Sequence, residues 1–184
     1  MERSIKQQIV ISGVGGQGVL FVTRLLAEAA MKNGNPVLTS ETHGMAQRGG
    51  IVVSHLKVGD FSSPMIRPKG ANGLIALKEE TVAQFRDFLR EDAWAAVNAS
   101  APADNLAESR IDADTVSAAS GNPRSVNIVM LGLAMAVMEK SDGAMICSMD
   151  DVRAVMEKRL KGKQEMLKAA LITLEDGYKG GRNK

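Results

Sequence analysis

At 184 residues the chain suits one domain with a sizeable core and is too short for two comfortable ones. Hydrophobic residues at 45% and charged residues at 24% exclude a disordered chain. A net charge of +2 with 3% aromatics leaves neither a basic field nor a stacking surface for nucleic acid or membrane. The start, Met1 to Gln8, is polar with no apolar leader core, and no apolar run reaches the length of a membrane span. The expectation is a cytoplasmic protein.

In chain order, the apolar run Ile9–Ile11 stops at Ser12 and Gly13, as a buried parallel strand does. From Gln17 to Lys32 apolar residues recur at helical spacing, and Asn33-Gly34-Asn35-Pro36 ends that helix. Val37–Thr39 is a second strand, so a βαβ unit is predicted. Glu41 to Gly50 reads as a loop, Ile51–Val58 as a third strand and Gly73–Leu77 as a fourth. A helix over Glu79–Arg90 and a fifth strand over Trp94–Asn98 follow, with Ile111 in a short further strand. Ser125 is placed to cap a helix running to Glu139, and Ser148-Met149-Asp150-Asp151 resembles a capping box. A last amphipathic helix spans Gln164–Asp176 and ends at Gly177. The fold class is α/β: a Rossmann-like open, mainly parallel sheet with helices on both faces, in a single domain over residues 1–184.

Gly13-Val14-Gly15-Gly16-Gln17-Gly18 satisfies G-x-G-x-x-G, with a strand before it and a helix after. The first glycine permits the tight turn, the second lets backbone approach an anion, and the third lets helix and strand pack closely. Glu41, 23 residues after Gly18, stands where a ribose-binding acid would. The opposing interpretation is that the glycines only shape the βα turn, and the two stay open here.

The next motif, Glu41-Thr42-His43-Gly44-Met45-Ala46-Gln47-Arg48-Gly49-Gly50, follows the second strand, where open α/β sheets place ligands. Arg48 beside two glycines can present a guanidinium and exposed N–H groups to a carboxylate, a phosphate or a partner's carbonyl. His43 next to Glu41 could exchange protons. An interface loop, with glycines allowing close approach of another chain, is the preferred reading.

These two motifs, in this order and spacing, resemble the gamma-type domain of 2-oxoacid:ferredoxin oxidoreductases, and within it the small subunit of the indolepyruvate enzymes. Ser63-Pro64-Met65-Ile66, Gly121 to Asn127 and Leu131-Gly132 fit later segments of that family. The likeness covers residues 7 to 177 and departs at Asn72 and Lys78, where acidic residues are common. It implies a complex that oxidatively decarboxylates a 2-oxo acid with coenzyme A and passes electrons to ferredoxin. Thiamine diphosphate and [4Fe-4S] clusters are then expected on a larger partner subunit, with ferredoxin reached through that subunit. No cofactor is expected on this chain alone, and it is not expected to be active alone. A homodimer stays open.

The remaining candidates read as structural. One cysteine, Cys147, cannot hold a cluster or a structural zinc and is expected to be buried. His43 and His55 form no metal pair, and His55 reads as an ordinary strand histidine. Met130, Met135 and Met138 read as packing residues on one helix. Arg124 and Asn127 flank that helix's start, where they either cap it or reach a ligand at the sheet edge. The rival function is a free-standing Rossmann module that holds NAD or FAD through Glu41.

Overall fold

The computed structural model describes residues 5–43, 49–101, 108–141 and 145–182. In chain order the elements are β1 (Gln7–Val14), α1 (Val19–Lys32), β2 (Val37–His43), β3 (Ile51–Val58), β4 (Ala71–Ala76), α2 (Thr81–Phe85), a 3-10 turn (Arg86–Phe88), β5 (Leu89–Asn98), β6 (Glu108–Ile111), α3 (Ala113–Ala119), α4 (Val126–Lys140), α5 (Met149–Arg159) and α6 (Gln164–Arg182). The strands form one sheet in the order β2-β3-β1-β4-β5-β6. β1, β4, β5 and β6 pair in parallel, while β3 runs antiparallel to both β1 and β2. The expected α/β class and mainly parallel sheet are therefore present.

The βαβ expectation needs one correction. β1 and β2 do run the same way, but β3 stands between them. The connection from β2 to β3 is residues 44–50, too short for the dozen or so residues of a parallel crossover, so β3 must return antiparallel.

Alternation along the strands builds two unequal cores. Ile9 and Ile11, with Leu56, Ile75, Trp94 and Ala96, face the helical layer of α1, α4, α5 and α6. Val10, Val53, Leu74, Ala95 and Val97 face the other way, where Ile66 and Phe85 cover them. α4 is buried along one unbroken run from Ile128 to Met138, because α6 closes over the side turned from the sheet. Its methionines are packing residues, as the sequence suggests. That closure is tight: a side chain at Gly132 would sit 2.1 Å from the Leu174 carbonyl, and one at Gly177 would sit 2.0 Å from the Val129 carbonyl.

Gly177 is thus a packing glycine and does not end α6, which continues to Arg182. The expected helix over Glu79–Arg90 is also shorter. Phe85 and Phe88 turn onto the second sheet face and the chain re-enters the sheet at Leu89, opposite Ala71. α3 was not expected; Asp112 caps it by accepting from the Thr115 N–H at 2.9 Å. The Ser148–Asp151 capping box of α5 is present, whereas Ser125 occupies the N-cap of α4 without a side-chain bond.

Candidate functional site

Because β1, β4, β5 and β6 are parallel, their carboxyl ends share one edge of the sheet. The glycine loop lies on it. Gly18 holds the N-cap of α1 with φ +86°, and Gly16 sits at φ +94° with open space where a side chain would go. Both conformations suit glycine alone. Gly13 is enclosed by Gln17, Val19 and Leu77, so it lets helix and strand pack as the motif implies.

Gln17 closes the loop on itself. Its Oε1 accepts from the Val14 N–H at 2.8 Å and its Nε2 donates to the Leu77 carbonyl at 3.2 Å. This amide spans the ends of β1 and β4. The Leu77 carbonyl also accepts from Asn98 Nδ2 at 3.2 Å, and the same Nδ2 lies 2.9 Å from Asp114 Oδ2. Asn98 Oδ1 in turn accepts from the Ala113 N–H at 2.9 Å. One polar chain therefore fastens the glycine loop, the ends of β4 and β5, and the start of α3. The buried Ser12 and Thr81 hydroxyls, 2.8 Å apart, add a second tie from β1 to α2. Sequence reasoning missed Ser12, Thr81, Asn98 and Asp114. The available signal was a polar residue closing an otherwise apolar strand run, as at Ser12 and Asn98.

Two further parts converge on the loop. The Gly15 N–H donates to the Gly50 carbonyl at 2.9 Å, so Gly49 and Gly50 of the second motif stand beside the first. Asn127, in the first turn of α4, lays its amide against Gly18: a side chain there would come within 2.3 Å of Asn127 Nδ2. Asn127 makes no hydrogen bond among the described residues, so its contact is packing, not capping. The starts of α1 and α4 therefore meet at one place, where unpaired N–H groups and helix dipoles favour an anion.

Other candidates lie apart. Glu41 is inside β2, opposite Ser54, and β3 separates it from the glycine strand by two strand spacings, roughly 10 Å. It lines a shallow cleft of about 500 Å³ with Thr23, Arg24 and Thr39 of α1 and β2. Arg124 is exposed in the turn before α4. His43 ends β2 opposite Val52. Gly44, Gln47 and Arg48 lie outside the described residues. Of the two positions where the sequence departs from its resemblance, Lys78 pairs with Glu80 at 3.4 Å and Asn72 Oδ1 accepts from the Gln8 N–H at 2.9 Å. A cleft of about 940 Å³ lies at the opposite edge between the end of α1 and the start of α5; Cys147 lines it, and none of the ligand- or partner-binding candidates does.

The chain's own residues do not fit an iron–sulfur cluster. Cys147 is 2% exposed, and burial, with the Asp151 charge beside it, pushes its thiol up to about 12. Among the described residues no three His, Cys, Asp or Glu side chains gather at metal-binding distance. No described helix is long and apolar enough to cross a membrane.

The family model for pyruvate ferredoxin/flavodoxin oxidoreductase matches residues 8–180. The chain belongs to that family, as a gamma-type member. It is 43% identical over 94 residues to the indolepyruvate oxidoreductase subunit IorB of Archaeoglobus fulgidus, a stretch covering 51% of this chain and 47% of that protein. It thus spans about half the length of that relative. In structure it resembles the keto/oxoacid ferredoxin oxidoreductase gamma subunit of Geobacter sulfurreducens, with TM-score 0.76 and 20% identity over 97% of this chain and 99% of that one. It also resembles the 2-oxoglutarate:ferredoxin oxidoreductase of Magnetococcus marinus, solved with 2-oxoglutarate, coenzyme A and succinyl-CoA bound, with TM-score 0.78 and 19% identity. This chain is covered fully there and that chain to 32%. At such identities the two structures share the fold.

Proposed function

We propose that this chain is the small subunit of a 2-oxoacid:ferredoxin oxidoreductase that acts on indolepyruvate or related arylpyruvates. The whole of it serves as one gamma-type domain. The observation that carries the reading is the family match across residues 8–180, joined to the 43% identity with an indolepyruvate oxidoreductase subunit. The enzyme decarboxylates the 2-oxo acid oxidatively, transfers the acyl group to coenzyme A, and delivers electrons to ferredoxin. Thiamine diphosphate and [4Fe-4S] clusters belong to a large partner subunit, which is consistent with a single, buried cysteine here.

In this reading the edge built from Gly13 to Gly18, Gly49, Gly50 and Asn127 is this chain's wall of a surface completed by the partner. Gly16 leaves it open to close approach, and the two helix starts favour an anionic group such as a phosphate of coenzyme A. Co-expression with a large thiamine-diphosphate and iron–sulfur subunit of the same family, followed by dye reduction with a panel of 2-oxo acids and coenzyme A, is the test. The pair should reduce dye with arylpyruvates and this chain alone should not. A pair inactive on every 2-oxo acid, or an active isolated chain, would refute the assignment.

A further inference from the structure

The sheet ends differently on its two sides. At one edge β6 is four residues long and carries Glu108 and Arg110, the short and charged form in which an edge resists further pairing. At the other edge β2 is seven residues long. It runs against β3 in unbroken register from Val37 to His43 and contains no lysine, arginine or proline. Its one carboxylate, Glu41, lines the cleft beside α1.

The ladder to β3 decides which backbone groups of β2 are left over. The Gly59 N–H donates to the Pro36 carbonyl at 2.8 Å, so the hydrogen-bonded pairs of this antiparallel ladder fall on Leu38, Ser40 and Thr42. The N–H and C=O groups of Val37 and Thr39 therefore point out of the sheet, and no described residue meets them. Apolar surface flanks them on both faces. Met31, 51% exposed, lines the α1 cleft together with Thr39. Met65, 46% exposed, sits on the other face, where its Sδ accepts from Ser40 Oγ at 3.2 Å.

We propose that β2 pairs antiparallel with β2 of a second copy, about a two-fold axis at Ser40, so that the two six-stranded sheets become one. Self-matching carries the choice of occupant. The register centred on Ser40 is the one that joins all of Val37–His43, and it sets outward-pointing residues opposite each other: Thr39 meets Glu41 of the copy, and Val37 meets His43. Glu41 of the copy thereby comes to the mouth of the cleft that the exposed Arg24 lines, an opposite-charge match that the symmetry makes twice. On the other face each Met65 lies over its own Ser40, so the two side chains flank the axis. This self-pairing goes beyond the enzymatic reading and does not depend on it.

The test is the mass of the full chain in solution, by sedimentation over a range of micromolar concentrations. The native chain should reach twice 19.6 kDa. Thr39→Pro removes a donor that points outward and leaves the ladder to β3 whole, so it should dissociate the dimer at least about tenfold more readily. Ser40→Cys places two thiols at a non-hydrogen-bonded pair on the axis, roughly 4.5 Å apart between Cα atoms, and should cross-link the copies under mild oxidation. Thr42→Cys sets them roughly 14 Å apart and should not. Cys147 is buried and takes no part. A monomeric native chain overturns the pairing, even where Thr39→Pro weakens assembly with a large subunit, since the edge then belongs to that subunit. A dimer that survives Thr39→Pro undiminished overturns it as well. Where Thr39→Pro lowers the melting point, the cysteines decide: cross-linking of Ser40→Cys but not Thr42→Cys upholds the pairing, and any other pattern overturns it. Dye reduction enters none of these readouts, so failure of the enzymatic reading leaves a separate signature.

Discussion

Gly18→Ala tests the geometry of the candidate edge directly. Two costs arise at once. An alanine at φ +86° sits in the left-handed region, which costs roughly 1–2 kcal/mol, and about half of that is returned by the stiffer unfolded chain. The new methyl also falls 2.3 Å from Asn127 Nδ2, so the amide must move, an overpacking cost of about 2 kcal/mol. The sum, about 3 kcal/mol, is a large share of a domain stability of roughly 5–15 kcal/mol. The two parts separate in a double-mutant cycle measured by urea unfolding. In an Asn127→Ala background the nearest remaining contact is Asn127 Cβ, 3.4 Å away, so only the backbone part of about 1 kcal/mol should remain. Gly16→Ala is the internal control: φ is +94° with nothing within 4 Å, so it should also cost about 1 kcal/mol. A coupling between positions 18 and 127 within about 0.5 kcal/mol of zero would refute the claim that α4 is seated on the glycine loop.

Three further outcomes are expected. Burial, and then the charge of Lys57, depress the His55 pKa from its ordinary 6.5, so the folded state holds the neutral ring that accepts from Ile66. The unfolded chain therefore binds the extra proton: stability is constant above about pH 6.5 and falls as pH drops below it, levelling off once the folded pKa is passed. His55→Gln should flatten that segment of a urea-midpoint profile against pH, and an equally steep profile would exclude His55 as its source. Cys147 should resist alkylation by iodoacetamide at pH 8 in the native protein and react freely in denaturant, with peptide mass as the readout. Ser148→Ala removes half of a capping box whose Asp151 also binds Lys32 at 3.1 Å and Asn33 at 2.9 Å; it should cost about 1 kcal/mol in thermal or urea unfolding.

Much of the fold could be read from local pattern. The apolar run at Ile9, the glycine turn, the amphipathic stretch to Lys32 and the Ser148 capping box are each decided by neighbours in sequence. What could not be read depends on who lies opposite. Gly177 resembles a helix stop until α4 is laid across it, and then the same lack of a side chain is what lets α6 pass. The acidic opening at Glu79 predicts a long helix, but Phe85 and Phe88 gain more by covering the second sheet face, and β4 recruits Leu89 as a strand. The pattern of Ile51–Val58 gives a strand without its direction, although seven connecting residues are enough to exclude a parallel return.

That direction decides what the glycine fingerprint means. In a dinucleotide fold the acidic strand lies beside the glycine strand, so one ligand can touch both. Here β3 takes that place, and Glu41 is carried to the outer strand. The position beside Gly15 passes to Gly49 and Gly50, two residues with no side chain to offer a ribose. Opposite them stands Asn127, brought by the start of α4. The fingerprint keeps its turn and its close packing, both fixed by Gly13, Gly16 and Gly18. Its recognition partner has changed from an acid on the next strand to backbone and an amide, which suits a phosphate or the main chain of another subunit better than a sugar hydroxyl. The identity of G-x-G-x-x-G as a binding motif therefore depends on the strand next to it, and that strand is set by the length of a loop thirty residues downstream.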